Sequence, residues 1–387
     1  MKTVCIATST RADWGILKPL AAALRDCGLI RLQVLATNMH LLEAYGHTVD
    51  EIIADGFTVD ARVEMPDADG AGDTARAIAM GLCLSGTAKA LAELRPDALV
   101  ILGDRYEMLA VASAAAVMRI PVIHISGGEI SEGAIDDSLR HAISKLAMLH
   151  LVSAEPYRRR VIQLGEHPSR VINTGSLGVW NMMNQPLMSR KELCDDLGID
   201  PATPFAVATF HPATLDPVNP EIRCRAMLDA LDRCAGLNVI ITYPNNDTGS
   251  EAIIREIESY AEANPRHVTL VKSLGMRRYL SAIREAAFVI GNSSSAIIEV
   301  PAAGTPAVNI GMRQRGRLHS PLVIDCADDT PSICRAIDKA LDPAFVTEAR
   351  NGENPYFKPD TLQLSLEAIL NFVNSLPVAP KKFHDLP

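Results

Sequence analysis

Aromatic residues are scarce in this chain: Phe, Trp and Tyr make up 4% of 387 residues, whereas apolar residues as a whole reach 48%. The core must therefore be packed from Ala, Val, Ile and Leu, as where buried strands alternate with helices. No stretch approaches the ~18 uninterrupted apolar residues of a membrane span. The start, MKTVCIATST, runs into a short strand pattern without a long apolar leader region. A cytoplasmic protein with no membrane partner is expected. Positive charge is not in excess either. The net charge of −9 argues against a nucleic-acid partner, which favours a basic face, although a few converging arginines can still hold an anion. C-x-x-C pairs are missing among the eight cysteines at positions 5, 27, 83, 194, 224, 234, 326 and 334. Buried free thiols are expected, with no zinc site and no disulfide framework. The G-x-G-x-x-G of a dinucleotide fold is absent after the first strand, which argues against a tightly bound NAD or FAD.

What is present is a long alternation of short β-rich runs with helical stretches. Strands are expected at 3–8, 32–36, 98–102, 121–125, 149–153 and 171–173, with helices at 14–27, 73–94, 108–118, 137–147 and 157–164 between them. The stretch 175–204, with Pro186, Pro201 and Pro204, breaks the rhythm. A second series then brings strands 205–210, 238–242, 268–271, 288–290 and 307–310, with helices 220–234, 250–263, 276–286, 295–303 and 332–341. A last amphipathic helix is expected over about 362–376. Such alternation implies parallel βαβ units with helices on both sheet faces, hence an α/β fold of two doubly wound domains. The expected division is 1–176 for the first domain, 177–360 for the second, a closing helix at 361–376 and a loose tail at 377–387. Doubly wound sheets bind ligands outside the carboxyl ends of their strands, so a site where the two halves face each other is expected.

Polar residues cluster at those strand ends. Thr10-Arg11-Ala12-Asp13 follows the first strand, where Arg11 suits an anion and Asp13 a helix cap. Gly103-Asp104-Arg105 follows 98–102; Asp104 is either a proton-transfer group beside a phosphate clamp or a plain N-cap. After His124-Ile125-Ser126, the paired Gly127-Gly128 would let backbone approach a ligand closely, and Glu129 follows. Asp136 and Asp137 stand at i,i+4 from Arg140 and His141, and acids at a helix start also answer its dipole. In the second half His211 and Asn245 end strands. Gly291-Asn292-Ser293-Ser294-Ser295 joins a strand to a helix, a ready diphosphate site or a good helix cap. Glu299, further along the helix, could accept both hydroxyls of a ribose. Arg313, Arg315 and Arg317 follow the next strand and could close over phosphate.

Taken together, Arg11-Ala12-Asp13, Gly103-Asp104-Arg105, His124 to Glu129, IDDSLRHAISK from Ile135, His211-Pro212, Pro244 to Ser250, GNSSSAIIE from Gly291 and Gly304-Thr305-Pro306 resemble the hydrolysing UDP-N-acetylglucosamine 2-epimerases, over about residues 3 to 375. The resemblance implies a glycosyltransferase-B-like architecture of two Rossmann-like domains facing across a cleft, with the final helix crossing back to the first. It implies elimination of UDP to a 2-acetamidoglucal, then hydration to free N-acetylmannosamine for sialic-type (nonulosonic) acid synthesis. Arg11, Arg105, His211, Asn245, Ser293, Ser294, Glu299 and Arg313 would bind UDP. Asp104 and Asp136 would carry the chemistry, with Glu129 as a third acid and His211 as a further candidate. Elimination and hydration are not redox steps, so no cofactor is implied. A homodimer or homotetramer is expected.

Two departures from the family bear on the substrate. A serine in the first loop of some members is Gly15 here, and a glutamate often found just before the paired glycines is Ser126. The second change points also to the branch acting on a nucleotide-linked 2,4-diacetamido-2,4,6-trideoxyglucose on the legionaminic acid route. Two rivals from other classes are a glycosyltransferase of the same fold, which would need an acceptor, and a sugar-nucleotide sensor without turnover.

Overall fold

Runs such as Ala98–Leu102, sequence ALVIL, are apolar at every position and buried at every position. A strand of that kind needs cover on both faces, which parallel sheets flanked by helices supply. The computed structural model describes residues 1–66, 72–234, 236–377 and 380–386. In chain order its elements begin β1 (Lys2–Thr8), α1 (Arg11–Asp26), β2 (Ile30–Thr37), α2 (Val49–Ala54), β3 (Ala61–Val63), α3 (Gly72–Leu94) and β4 (Ala98–Leu102). There follow α4 (Tyr106–Val117), β5 (Val122–Ile125), α5 (Asp136–Leu146), β6 (Leu149–Val152), α6 (Glu155–Gln163) and β7 (Val171–Asn173). Helices α7 (Leu177–Asn184) and α8 (Arg190–Leu197) lead to β8 (Phe205–Thr209), α9 (Pro220–Leu231), β9 (Asn238–Thr242), α10 (Ser250–Ala263) and β10 (Val268–Val271). The rest comprises α11 (Gly275–Glu285), β11 (Val289–Gly291), α12 (Ser294–Ala302), β12 (Ala307–Ile310), β13 (Val323–Cys326), α13 (Thr330–Ala340), α14 (Pro343–Ala349) and α15 (Thr361–Asn374).

The chain divides into two compact units. The first comprises Met1–Glu129, Asp136–Trp180 and Tyr356–Pro387; the second comprises Ile130–Ile135 and Asn181–Pro355. The limits expected from the sequence are 176 and 360, and the short Ile130–Ile135 excursion into the second unit is not foreshadowed by the sequence pattern.

In the first unit the strand order is β3-β2-β1-β4-β5-β6-β7, and in the second β10-β9-β8-β11-β12-β13. All pairs are parallel. The two-residue period of a strand splits β1 between opposite faces. Val4 and Ile6 join the core under α1 and α15, and Cys5 and Ala7 join the core under α3 and α4. Helix α15 contributes Ile369, Phe372 and Val373 to the first of these. In the second unit Ala206, Ala208, Val239 and Ile241 pack with α9, α10 and α13.

The tail expected to be loose makes defined contacts at Lys381 and His384. Lys381 Nζ donates to the Lys145 and Ala147 carbonyls at 2.6 and 2.7 Å and pairs with buried Glu166 at 2.7 Å. The His384 amide bonds the Gly165 carbonyl at 2.9 Å. The tail is held because α5 ends in carbonyls without helical partners and the lysine supplies donors to two carbonyls there.

Candidate active site

Where the strand order of a doubly wound sheet reverses, the loops at the carboxyl ends diverge and leave a crevice. In the first unit the reversal lies between β1 and β4, so the loops 9–13 and 103–105 flank it. Asp104 is not the cap of α4. The N-cap is Arg105, without a side-chain cap bond, and the Asp104 carboxylate is bonded by Arg140 Nη2. Arg140 is 1% exposed. Its Nη1 donates to the Glu129 carbonyl at 3.0 Å and approaches Asp137 at 3.5 Å. One guanidinium on α5 thus ties the β4 loop, the β5 loop and the start of its own helix together. Asp136 and Asp137 occupy the first turn of α5, and Asp137 meets His141 at 3.6 Å, as the i,i+4 spacing predicts.

Behind this group stands His124, fully buried. Its Nε2 lies 2.7 Å from the Gly103 carbonyl and its Nδ1 3.1 Å from Ser144 Oγ. Burial pulls its pKa down to about 3, so the ring is neutral, donates to the carbonyl through Nε2–H and accepts from Ser144. The histidine braces the backbone that carries Asp104. Glu129 is 3% exposed and accepts from Ser153 Oγ at 2.7 Å. The paired glycines also serve the packing of the first unit. A Cβ on Gly127 would stand 2.8 Å from Ser144 Oγ, and one on Gly128 (φ +78°) 2.6 Å from the Tyr157 carbonyl. They admit the protein's own α5 and α6.

On the β1 side, Arg11 opens α1, and Asp13 closes a capping box with Thr10, accepting from Ser9 Oγ at 2.8 Å. Burial raises the Asp13 carboxyl above its ordinary range, against the pull of Arg105 and Ser9. Arg105 Nε donates to Glu107 at 2.6 Å, and Glu107 is 0% exposed. The sequence reading missed Glu107; its signal is an acid inside the otherwise apolar helix YEMLAVASAAAV.

In the second unit the reversal lies between β8 and β11. Gly291 (φ +138°) lets the two strands converge there, since a Cβ would fall 1.8 Å from the Thr209 carbonyl. Asn292 then pairs with the His211 backbone in both directions. It accepts from the His211 amide at 2.7 Å and donates to its carbonyl at 2.8 Å. His211 Nδ1 accepts from the Asn245 amide at 3.2 Å, which leaves the ring proton on Nε2 in the neutral form. Ser293 is the N-cap of α12, Ser294 its first residue, and Glu299 lies further along at 8% exposure. Arg313 Nη1 donates to the Asn292 carbonyl at 3.1 Å. Phe210, Asn292, Gly311 and Arg313 help line one shallow hollow. His211, Asn245, Ser293 and Arg313 are thus gathered at one strand-end cluster. Arg315 and Arg317 do not belong to it. Arg317 is spent on the Ile130 carbonyl and Ser131 Oγ at 2.9 and 3.2 Å, and Arg315 pairs with Glu132 at 3.3 Å. They anchor the 130–135 excursion, whose backbone and acid offer better fixed partners than a phosphate would.

The family model of UDP-N-acetylglucosamine 2-epimerase matches residues 22–370. The chain belongs to this family. Among relatives, a GDP/UDP-N,N'-diacetylbacillosamine 2-epimerase (hydrolyzing) of Campylobacter jejuni is 38% identical over 324 residues, 84% of each chain. The polysialic acid biosynthesis protein P7 of Escherichia coli is 35% identical over 389 residues, covering 100% of this chain and 98% of that one. A UDP-N-acetylglucosamine 2-epimerase of Neisseria meningitidis is 33% identical over 340 residues, 88% of each chain. The fold agrees with solved structures. The UDP co-structure of MnaA from S. aureus aligns with a TM-score of 0.80 at 15% identity, over 99% of this chain and 100% of that one. The N. meningitidis UDP-GlcNAc 2-epimerase bound to UDP-GlcNAc aligns at 0.78 and 16%, over 96% and 100%. The epimerase family is thus that of an α/β, glycosyltransferase-B-like enzyme of the UDP-sugar 2-epimerase kind.

Proposed function

We propose that this epimerase eliminates UDP from UDP-N-acetylglucosamine and hydrates the product to free N-acetylmannosamine, for nonulosonic acid synthesis. A carboxylate takes the C2 proton, the C1–O bond to UDP breaks, and a C1=C2 bond forms. Water then returns hydroxyl to C1 and a proton to the opposite face of C2, so the net change is hydrolysis with inversion at C2. The observation that carries this reading is Asp104, held at the β1/β4 reversal by a buried arginine that also fixes the Glu129 backbone. Asp104, Glu129 and Asp136 are the proton-transfer groups. Arg11 and Arg105, with His211, Asn245, Ser293, Ser294, Glu299 and Arg313, hold UDP. Donors prearranged on the diphosphate stabilise the departing charge, which offsets the weak acidity of C2. His211, with Nδ1 engaged by Asn245, presents Nε2–H as one such donor.

A second reading, a 2,4-diacetamido-2,4,6-trideoxyglucose nucleotide, is favoured by Ser126. This serine sits at the carboxyl end of β5 in a left-handed backbone conformation (φ +64°), and relatives at 38% and 33% identity bear diacetylbacillosamine names. Incubation of the enzyme with each UDP-sugar in heavy water tests both readings. The expected products are UDP and a free 2-epimerised sugar carrying deuterium at C2. A product that keeps its nucleotide would show a non-hydrolysing epimerase. A kcat/KM more than about tenfold higher for the diacetamido sugar, ~1.4 kcal/mol in the transition state, would move the assignment to it.

A further inference from the structure

Two buried ionisable groups of the first unit take no part in the proposed chemistry. His150, on β6, is 0% exposed, and Glu166, just past α6, is 2% exposed. His150 Nε2 lies 3.1 Å from one Glu166 oxygen. The same carboxylate takes Lys145 Nζ of α5 at 2.8 Å and Lys381 Nζ of the C-terminal segment at 2.7 Å. The Lys145 ammonium also stands over the ring of Phe383 from that segment, 4.6 Å from its centroid. A buried carboxylate needs a paired charge, and Lys145 alone would supply it. The second ammonium goes beyond that need.

His150 pairs in register with His124 of β5, so both rings leave the same sheet face from strands about 5 Å apart. His124 Nε2 bonds the carbonyl of Gly103, the residue before Asp104, at 2.7 Å. Lys381, Glu166, His150 and His124 thus form a line from the surface to the loop that carries Asp104. His150 Nδ1 is buried and has no hydrogen-bond partner among the described residues. A bare ring nitrogen bears that better than an N–H, which would forfeit its bond to water. The charged groups facing His150 are Glu166, Lys381 and Lys145, and those facing His124 are Arg140 and Asp104. Burial pulls the His150 pKa below its ordinary value; Glu166 opposes this and the two lysines add to it. The ring is therefore neutral and donates Nε2–H to Glu166.

We propose that Glu166 and His150 are positioning residues for Asp104, acting through His124, and that Lys381 of the C-terminal segment locks them. This rests on the reading of Asp104 as a proton-transfer group. With both lysines present, a proton on His150 would make a third cation around one carboxylate and set an imidazolium beside the neutral His124 ring. Without Lys381 that proton is accepted at higher pH. The imidazolium then needs an acceptor for Nδ1–H, and the β5–β6 contact loosens to provide one. The Gly103 carbonyl loses its fixed donor, and Asp104 drifts from the reacting carbon. Substrate binding is spared, since the line ends at none of the groups assigned to the nucleotide.

Nitrogen-15 spectra of the histidine-labelled full chain follow both rings without turnover, with single histidine-to-glutamine variants giving the assignments. In the wild type His150 should keep one neutral tautomer from about pH 8 to 5.5. In Lys381→Met it should titrate within that range and the His124 signals should move with it, while Lys381→Arg behaves as wild type. Rates with both UDP-sugars complete the test. The kcat of Lys381→Met should match wild type at about pH 8 and fall at least about fivefold below it near pH 6, with KM within about twofold. In a His150→Gln background Lys381→Met should add no pH-dependent loss. A contact that only supports the fold would lower the melt and leave the kcat ratio independent of pH. A His150 ring unmoved by Lys381→Met, His124 signals indifferent to it, or a constant kcat ratio would each overturn the proposal. If neither UDP-sugar is turned over, the proposed reaction fails, and the coupling of His150 to His124 stands or falls on the spectra alone.

Discussion

Glu107, Glu129, Arg140 and Glu166 are nearly sealed from solvent, and a buried charge persists only where it is paired and hydrogen-bonded. Glu107 and Arg140 each fix a residue that the proposed chemistry uses, Arg105 and Asp104 respectively. The Glu107–Arg105 pair gives a residue-scale test. Glu107→Gln keeps the shape but loses the charge that sets Arg105, and should lower kcat/KM by about tenfold, ~1.4 kcal/mol. In an Arg105→Met background the same change should cost almost nothing, because its effect passes through the missing guanidinium. An equal loss in both backgrounds would show that Glu107 only supports the fold. Strand-end motifs singled out Asp104, Asp136 and His211 as candidates, and the Asp137–His141 contact was legible from its spacing. The Asp104–Arg140 bond was not. Its partners are 36 residues apart and meet only because β4 and β5 are neighbours in the sheet.

Helix α5 shows how an element can be held at both ends. Its first turn carries Asp136 and Asp137, and its last carbonyls take the ammonium of Lys381, which also reaches Glu166. Burial works to raise the Glu166 carboxyl, but His150, Lys145 and Lys381 outweigh it and bring its pKa from 4.5 down to about 2. A carboxyl depressed on folding stabilises the folded state above its unfolded pKa, and that share is shed as pH falls from about 4.5 toward 2. Lys381→Ala should therefore lower stability at pH 7 by roughly 1 kcal/mol and make the acid limb between those values shallower. Thermal melts from pH 7 to 3 would read both; an unchanged melt at neutral pH would show the tail to be idle. Elements with strong apolar patterning were legible: β9, α10, β10 and β12 span the residues expected of them. Helices α7 and α8 were missed because they are two turns long and set among prolines. The Ser189–Glu192 capping box of α8 was the available signal. Strand β13 was missed because half of VIDC is not buried.

At the scale of the whole chain, both sheets share one order over six strands, the first adding β7, and each carries polar residues on the loops beside its reversal. The doubly wound alternation was legible in the sequence; the strand orders were not. Nor was the place of the short loop Ile130–Ile135, because its membership of the second unit rests on Arg315 and Arg317, residues far along the chain. The clusters differ in chemistry. The first unit holds Asp104 and the Glu129 backbone, both bonded by Arg140, with Asp136 in the first turn of α5; the second holds His211, Asn292, a capped helix start and Arg313. Carboxylates suit proton transfer at C2 and repel a diphosphate, while amides and a helix N-terminus suit the diphosphate. Damage should therefore separate. Asp104→Asn should lower turnover by roughly 10² or more while leaving UDP affinity within about twofold, as for a group that acts on the reacting carbon alone. Glu299→Ala should weaken UDP binding by about 1–3 kcal/mol through a lost charged hydrogen bond, and turnover at saturating substrate should change far less. Calorimetry with UDP and initial rates on the same preparations would decide. If Asp104→Asn lost UDP affinity as steeply as turnover, the division of labour between the two sheets would be wrong, and Asp104 would belong with the nucleotide.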